Sequence, residues 1–390
     1  KDIGIVMMKG VLFGIITTVT VLPSLILLFD KPIHKYTHKI MIPDFTKGSD
    51  FILRHRWVLV VLGLLLILPA VWSQSKTQVY YNLDRSLPET MDSIVATNKL
   101  KKDYNMATTH FAIVNDSLPS YKLADMISEI KKVDGVESTL AYDDIVGPAV
   151  PDSFIPQKVK DLCKKDGRQL VMVNSKYKSA EDNENNQIDE INKIIKKYDK
   201  TAQLTGEGAM TKDLIDTASV DFKVTNNISM LCIVLLIAVL FKSAVIPVIL
   251  VAIIELAICI NLGIPFFTGT VIPFISPTVI GCVQLGATID YSILMTTRFQ
   301  EELRKGLNRL EAIKVASRTS FPSIVTSSLV FFCATLGVSI VSKIGMIQSI
   351  CSMLARGALI SAGVIIFMLP AVLYVTEPII NKLTFHWRNT

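Results

Sequence analysis

The apolar residues of this chain are gathered into seven long runs, at about Ile3–Phe29, Trp57–Trp72, Ile228–Phe241, Ala244–Phe266, Ser276–Thr296, Phe321–Ile340 and Ile347–Val375. A helix needs about 20 predominantly apolar residues to cross a bilayer, so the runs predict seven crossings. Between the second and third lies the large polar segment, where the periodicity changes. Phe111–Val114, Val136–Tyr142, Gln169–Tyr177 and Gln203–Thr205 read as strands, and Ser120–Lys132 and Asn185–Tyr198 as helices. The order β-α-β-β-α-β predicts a ferredoxin-like, split β-α-β arrangement. A helix over Gln157–Lys164 is expected as an insertion between the central strands, and one over Ala209–Lys223 leads into the next crossing. The loop Phe299–Ser317 carries Leu303, Leu307, Leu310, Ile313 and Ala316 at helical spacing among charges. It predicts either an amphipathic helix on the membrane surface or a solvated connector.

Half of the 390 residues are hydrophobic and only 19% are charged, which makes this a polytopic α-helical membrane protein with an α+β domain outside the membrane. The net charge of +6 is gathered in short loops rather than in a nucleic-acid-binding patch. Lys31, His34, Lys35, His38, Lys39, Lys47, Arg54 and Arg56 fill the first linker; Arg298, Arg304, Lys305, Arg309, Lys314 and Arg318 follow the fifth run. The positive-inside rule puts both on the cytoplasmic side. Counting crossings divides the chain into a first helix (1–30), a basic cytoplasmic linker (31–56), a second helix (57–72), an extracytoplasmic domain (73–225), a five-helix bundle with a cytoplasmic amphipathic loop (226–376, loop 297–319) and a cytoplasmic tail (377–390). No cleavable leader is expected, because Lys1–Phe29 is apolar and runs straight into basic residues. Five of the six cysteines lie in apolar runs and Cys163 stands alone, which argues against a disulfide framework. No cofactor or metal is implied, and no nucleophile-base set suggests an enzyme.

The first and last runs repeat at an offset of 347 residues. KGVLFGIITTVTVLPSLILLFD (Lys9–Asp30) aligns with RGALISAGVIIFMLPAVLYVTE (Arg356–Glu377), pairing Lys9–Gly10 with Arg356–Gly357 and Leu22–Pro23 with Leu369–Pro370. Apolar composition explains matched leucines but not matched basic-Gly and Leu-Pro pairs, so a duplication is expected. The first run would then be the last helix of a preceding homologous half, a partner of this one.

One carboxylate, Asp290, sits midway along Ser276–Thr296. A charge at bilayer depth is costly, and acids there usually face a protein interior or wet cavity on an ion or proton pathway. Gly286, one turn earlier, removes bulk where a neighbouring helix approaches. Gln284, Thr288 and Tyr291 bring donors and acceptors, though on different faces of the same helix, and Thr326, Ser327 and Ser328 on the next helix are candidates to complete a proton relay. Hydroxyls at such positions also serve packing or bond their own backbone. Glu255 lies mid-span in VILVAIIELAICI and Arg356 in the outer part of the last run, where it would pair with an acid such as Asp290 or Glu255, or reach the interface. Gly357 is expected to serve helix packing.

One span, a large outer domain, then five spans with an acid in the third is the half-plan of the resistance, nodulation and division (RND) superfamily. The motifs FKSAVIPVIL (Phe241–Leu250), QLGATIDYSILMTTRFQEE (Gln284–Glu302), SIVTSSL (Ser323–Leu329) and ARGALIS…LPAVL (Ala355–Leu373) resemble its MmpL-like branch, the MMPL family, and the related exporter-like proteins of low-GC Gram-positive bacteria. The resemblance covers the membrane half; the outer domain matches only in layout. It implies an exporter of hydrophobic or amphipathic molecules in a bacterial cell membrane, driven by proton antiport, with Asp290–Tyr291 as the proton-handling pair of the tenth helix of twelve. Gln284, Thr288 and the basic-Gly pair depart from the usual pattern, so substrates do not carry over. A lipid-binding, sterol-sensing-like receptor without transport and a SecDF-like protein-translocation motor share the layout.

Overall fold

The computed structural model describes residues 2–36, 44–82, 87–142, 163–385 and 387. Seven of its helices are long and apolar enough to cross a membrane. The chain forms two compact units, Lys1–Phe45 and Thr46–Thr390.

In the first unit α1 (Asp2–Leu28) is followed by the short α2 (Asp30–Lys35). The apolar side chains of α1 are exposed around its circumference, as suits a helix surrounded by hydrocarbon. Its hydroxyls return to their own backbone: Thr17 donates to the carbonyl of Phe13 at 2.8 Å and Thr20 to that of Ile16 at 2.6 Å. Without water in a bilayer, this is the nearest acceptor a lone hydroxyl has.

In the second unit the short α3 (Thr46–Arg54) precedes the spanning helix α4 (Arg56–Lys76). The polar segment holds β1 (Val79–Tyr80), α5 (Asp92–Tyr104), β2 (Thr108–Asn115), α6 (Ser120–Ile130), β3 (Val136–Leu140), β4 (Lys164–Lys165), β5 (Arg168–Ser175), α7 (Asp182–Tyr198) and β6 (Gln203–Gly206). The bundle follows as α8 (Glu207–Phe241), α9 (Val245–Thr268), β7 (Ile272–Pro273), α10 (Ser276–Arg304), α11 (Arg309–Val341) and α12 (Gly345–Leu383). The most buried of these helices, α9, packs on α4, α8, α10 and α12, while α11 fills the space between α10 and α12.

The main sheet is antiparallel with order β3-β5-β2-β6, and β4 pairs β5. Along β2 buried and half-buried residues alternate, as the period of two requires. Ala112, Val114, Val171 and Val173 from the sheet meet Leu123, Met126 and Ile130 of α6 and Ile191 and Ile195 of α7 in one core. The last strand enters α8 through Gly206, whose φ of +125° and close approach to the backbone of Thr109 leave no room for a side chain. The domain is joined to the bundle by the parallel pairing of β1 with β7, and the Thr77 hydroxyl donates to the carbonyl of Leu262 at 2.8 Å.

The six core elements of the β-α-β-β-α-β order stand within a few residues of where the pattern put them. Three boundaries differ. The outer helix expected over Ala209–Lys223 and the crossing after it are one helix, α8. The stretch expected as an amphipathic surface helix or a solvated connector helix, Phe299–Ser317, instead divides between α10 and α11 around a turn at Lys305–Asn308, where the Asn308 side chain accepts from the Glu311 amide at 2.9 Å. Leu303, Ile313 and Ala316 are buried because they continue the packed faces of spanning helices, not because they meet a membrane surface. The helix expected over Gln157–Lys164 lies almost entirely outside the described residues, and Lys164 begins β4.

On the core face of β2 lies a fully buried pair, His110 Nε2 and Glu184 Oε1, 3.8 Å apart under Gly208. Burial pushes His110 down to about 4 and Glu184 up to about 7. His110 therefore contributes stability that is full above its ordinary 6.5 and lost as pH falls towards 4; Glu184 contributes stability that is full below 4.5 and lost as pH rises towards 7. Between 4.5 and 6.5 the two slopes oppose each other. Thermal unfolding across a pH series should therefore show little dependence from this pair in the native protein, whereas Glu184→Gln should lose stability on acidification from 6.5 to 4 and His110→Gln on raising the pH from 4.5 to 7.

Candidate functional site

Successive residues on a helix turn by about 100°, so the polar residues around Asp290 must divide between faces of α10. One face carries Gly286, Ala287, Asp290 and Leu294, with the largely buried Tyr291 at its edge. Ala287, Asp290, Tyr291 and Leu294 line an open cleft of about 290 Å³ together with Ser323, Ser327 and Phe331 of α11. The spacings 287, 290, 291, 294 and 323, 327, 331 are those of two helix stripes facing each other. Asp290 is exposed on this surface and makes no hydrogen bond or ion pair among the described residues. Gly286 lies one turn away on the same open face, with nothing within 4 Å of where a side chain would project.

The other face is buried and fully engaged. The Asn261 amide of α9 donates to Gln284 Oε1 at 2.8 Å and to the Met353 carbonyl at 3.0 Å. Gln284 Nε2 donates to Ser361 Oγ at 2.9 Å. Arg356 Nε donates to Asn261 Oδ1 at 2.9 Å and its Nη2 to the Asn261 carbonyl at 3.0 Å. One polar node thus ties α9, α10 and α12 together. A Cβ on Gly357 would fall within 2.6 Å of Asn261 Nδ2 and 2.7 Å of Gln284 Oε1, so the Asn261–Gln284 bond occupies the space that the glycine leaves. That gives the basic-Gly pair of the repeat a physical role in this half: the arginine supplies donors to the node and the glycine supplies room.

Below Gln284 the stripe continues as Thr288, Ser292 and Thr296, each hydroxyl donating to the carbonyl four residues earlier, at 2.6, 3.2 and 2.7 Å. Such bonds satisfy the hydroxyl within its own helix.

Of the residues singled out from sequence, Asp290, Tyr291 and Ser327 come together at the cleft. Gln284 and Thr288 lie on the opposite, buried face. Thr326 is exposed outside the cleft lining, and Ser328 is buried and donates to the Val325 carbonyl at 3.0 Å. Three consecutive residues cannot all face one neighbour, so only Ser327 of that cluster lines the cleft with Asp290. The candidate ion pair is corrected as well: Arg356 pairs with neither Glu255 nor Asp290, because its guanidinium is taken up by Asn261, and Glu255 is half-buried on α9 without an ion pair among the described residues. Ser323 was legible as the residue one turn before Ser327. Asn261 was signalled only by being the one amide in the apolar α9.

The sequence model of the MMPL family matches residues 86–387. Among curated sequences the chain is 26% identical over 332 residues to the membrane protein YdgH of Bacillus subtilis (strain 168), covering 82% of this chain and 35% of that protein. It is 26% identical to ActII-3 of Streptomyces coelicolor over 181 residues, 44% of this chain and 25% of that one, and 23% identical to SCO0839 of the same organism over 166 residues, 40% and 24%. The chain thus spans about a third of the length of the Bacillus relative.

Removing a buried hydrogen-bond partner costs about 1–3 kcal/mol, because the group left behind stays desolvated. Gln284→Leu and Gly357→Val should each lower the melting temperature of the detergent-solubilised protein by several degrees, whereas Tyr291→Phe, at the open cleft, should leave it within a degree or two.

Proposed function

The chain belongs to the MMPL family, and from that premise we propose that it forms part of an RND-type exporter in which Asp290 carries protons for the movement of a hydrophobic or amphipathic molecule. The observation that carries this reading is the contrast between the two faces of α10. Gln284, Thr288, Ser292 and Thr296 are all bonded inside the protein, whereas Asp290, on the same helix and at similar depth, has no hydrogen-bond or ion-pair partner among the described residues and opens on a cleft where Tyr291, Ser323 and Ser327 sit among apolar residues. A carboxylate tolerated in that state is suited to exchange a proton with Ser327, Ser323, Tyr291 or water in the cleft.

A proton crossing the membrane field supplies about 2.3 kcal/mol per 100 mV, enough to bias a helix rearrangement without breaking bonds. Neutralising Asp290 removes the reason to keep its face wet and lets α10 pack against a neighbouring apolar surface. Gly286, on that same face, leaves the space such an approach needs. The rigid node on the opposite face transmits any movement of α10 to α9 and α12. Through β1, β7 and the continuous α8 it would reach the sheet domain, which we read as a ferredoxin-like extracytoplasmic domain that hands the substrate on.

In this reading the protein lies in a bacterial cytoplasmic membrane with residues 73–225 outside, as the positive-inside distribution supports. A homologous half supplies the opposing surface at Asp290, and the substrate is lipid-, glycolipid- or lipopeptide-like, with membrane lipids as its surroundings.

In proteoliposomes of the full-length protein with an imposed pH gradient, Asp290→Asn should abolish transport while leaving the melting temperature and helix content intact, and Asp290→Glu should retain part of it. Undiminished transport by Asp290→Asn would remove the residue from the coupling path.

A further inference from the structure

The short helix α3 has two unlike faces. Ser49, Ile52 and Leu53 are buried, and α3 packs against α11 and α12. Its seat is reinforced at both ends. Asp50 pairs with Lys314 of α11 at 2.7 Å, and Arg56 donates to the Leu53 carbonyl at 2.9 Å while its guanidinium lies over the Tyr374 ring of α12 at 4.7 Å. The opposite face carries Lys47, Phe51, Arg54 and His55, at positions i, i+4, i+7 and i+8 of one stripe. Phe51 is 57% exposed with its ring 4.6 Å from that of His55, and Trp57 in the next turn is 61% exposed.

Elsewhere at this end of the bundle three cations are matched, while Lys242 and Lys382 have no ion-pair partner among the described residues. Arg298 pairs with Glu301 at 3.0 Å, Lys305 with Glu302 at 2.6 Å and Arg309 with Glu377 at 3.9 Å. Among the described residues Lys47 and Arg54 have no ion-pair partner. Two unmatched cations therefore flank an exposed aromatic where a spanning helix begins.

We propose that this stripe is a binding site for an anionic phospholipid, with Lys47 and Arg54 holding the headgroup phosphate and Phe51 and Trp57 lying at the boundary between headgroup and acyl chain. Arginine and lysine supply the donors and charge a phosphate requires, and aromatic rings are favourable at that depth. A lipid fits better than a soluble acidic partner because the stripe runs on into Val58, Val61 and Leu62 of α4, all exposed. A soluble partner would leave that apolar surface uncovered, whereas acyl chains cover it. The inference rests only on α4 crossing a bilayer, not on export.

Each basic residue next to a membrane contributes about 1 kcal/mol towards an anionic surface, so losing two weakens binding about thirty-fold and losing one about five-fold. The test titrates phosphatidylglycerol into the detergent-solubilised protein and follows the melting temperature. The native protein should show a saturating rise that phosphatidylcholine and inorganic phosphate do not produce. K47Q/R54Q should need about thirty-fold more lipid for half the rise, while R298Q/K305Q, with the same change in charge, should stay within about three-fold of native. If the double variant does not fold, K47Q and R54Q singly should each shift about five-fold. Equal weakening in both double variants, no weakening in the α3 variants, or an equal rise with phosphatidylcholine or inorganic phosphate would overturn the site.

Discussion

A polar group placed in a bilayer is costly unless it finds a partner within the protein or water in a cleft, and most polar side chains of the long apolar helices of this chain follow that requirement. Isolated hydroxyls on α1, α10 and α11 return to carbonyls one turn back. The Asn261 and Gln284 amides and the Arg356 guanidinium, which cannot do so, meet in one node with Ser361 across three helices. Breaking any member leaves the others desolvated, so the node fixes the rotation of α10 about its own axis. That rotation turns Asp290 to the open face.

The two faces of α10 therefore have different physical jobs. The buried face is rigid because its donors and acceptors are matched. The open face has a carboxylate, two serines from α11 and a glycine with empty space above it, with the tyrosine at its edge. Under the proposed function, the proton that Asp290 takes up changes the polarity of this side alone, and the fixed side turns that change into helix packing. The Arg356–Gly357 pair belongs to the fixed side: Gly357 makes room for the amide hydrogen bond that Arg356 buttresses.

Much of this was legible in the sequence and some was not, for identifiable reasons. Hydropathy located all seven spanning helices, because burial in hydrocarbon demands continuous apolar runs. Period-two alternation located β2 and β5, whose inner residues form the sheet core. Hydropathy could not show where helices end, since a helix does not stop when it leaves the membrane: α8 begins some twenty residues before its apolar run, and α10 and α11 extend towards each other through a charged stretch until a short turn parts them. Asp290 stood out by cost, and Tyr291 by its place beside it and by the resemblance. Spacing separated Ser327 from Thr326 and Ser328 only once the direction of α11 was known. Arg356 was read as pairing with a carboxylate or reaching the interface, but it meets an asparagine, because hydrogen bonds donated to a neutral amide oxygen and a backbone carbonyl can hold a guanidinium without a second charge.

The account depends on Asp290 being a carboxyl group that gains and loses a proton in the working protein. Infrared difference spectroscopy of the full-length protein in lipid, recorded across a pH series, observes this directly through the carbonyl stretch of a protonated carboxylic acid. The account predicts a band that appears on acidification, shifts in deuterated water and is missing from Asp290→Asn. A native spectrum without such a band, or one that Asp290→Asn leaves unchanged, would contradict it.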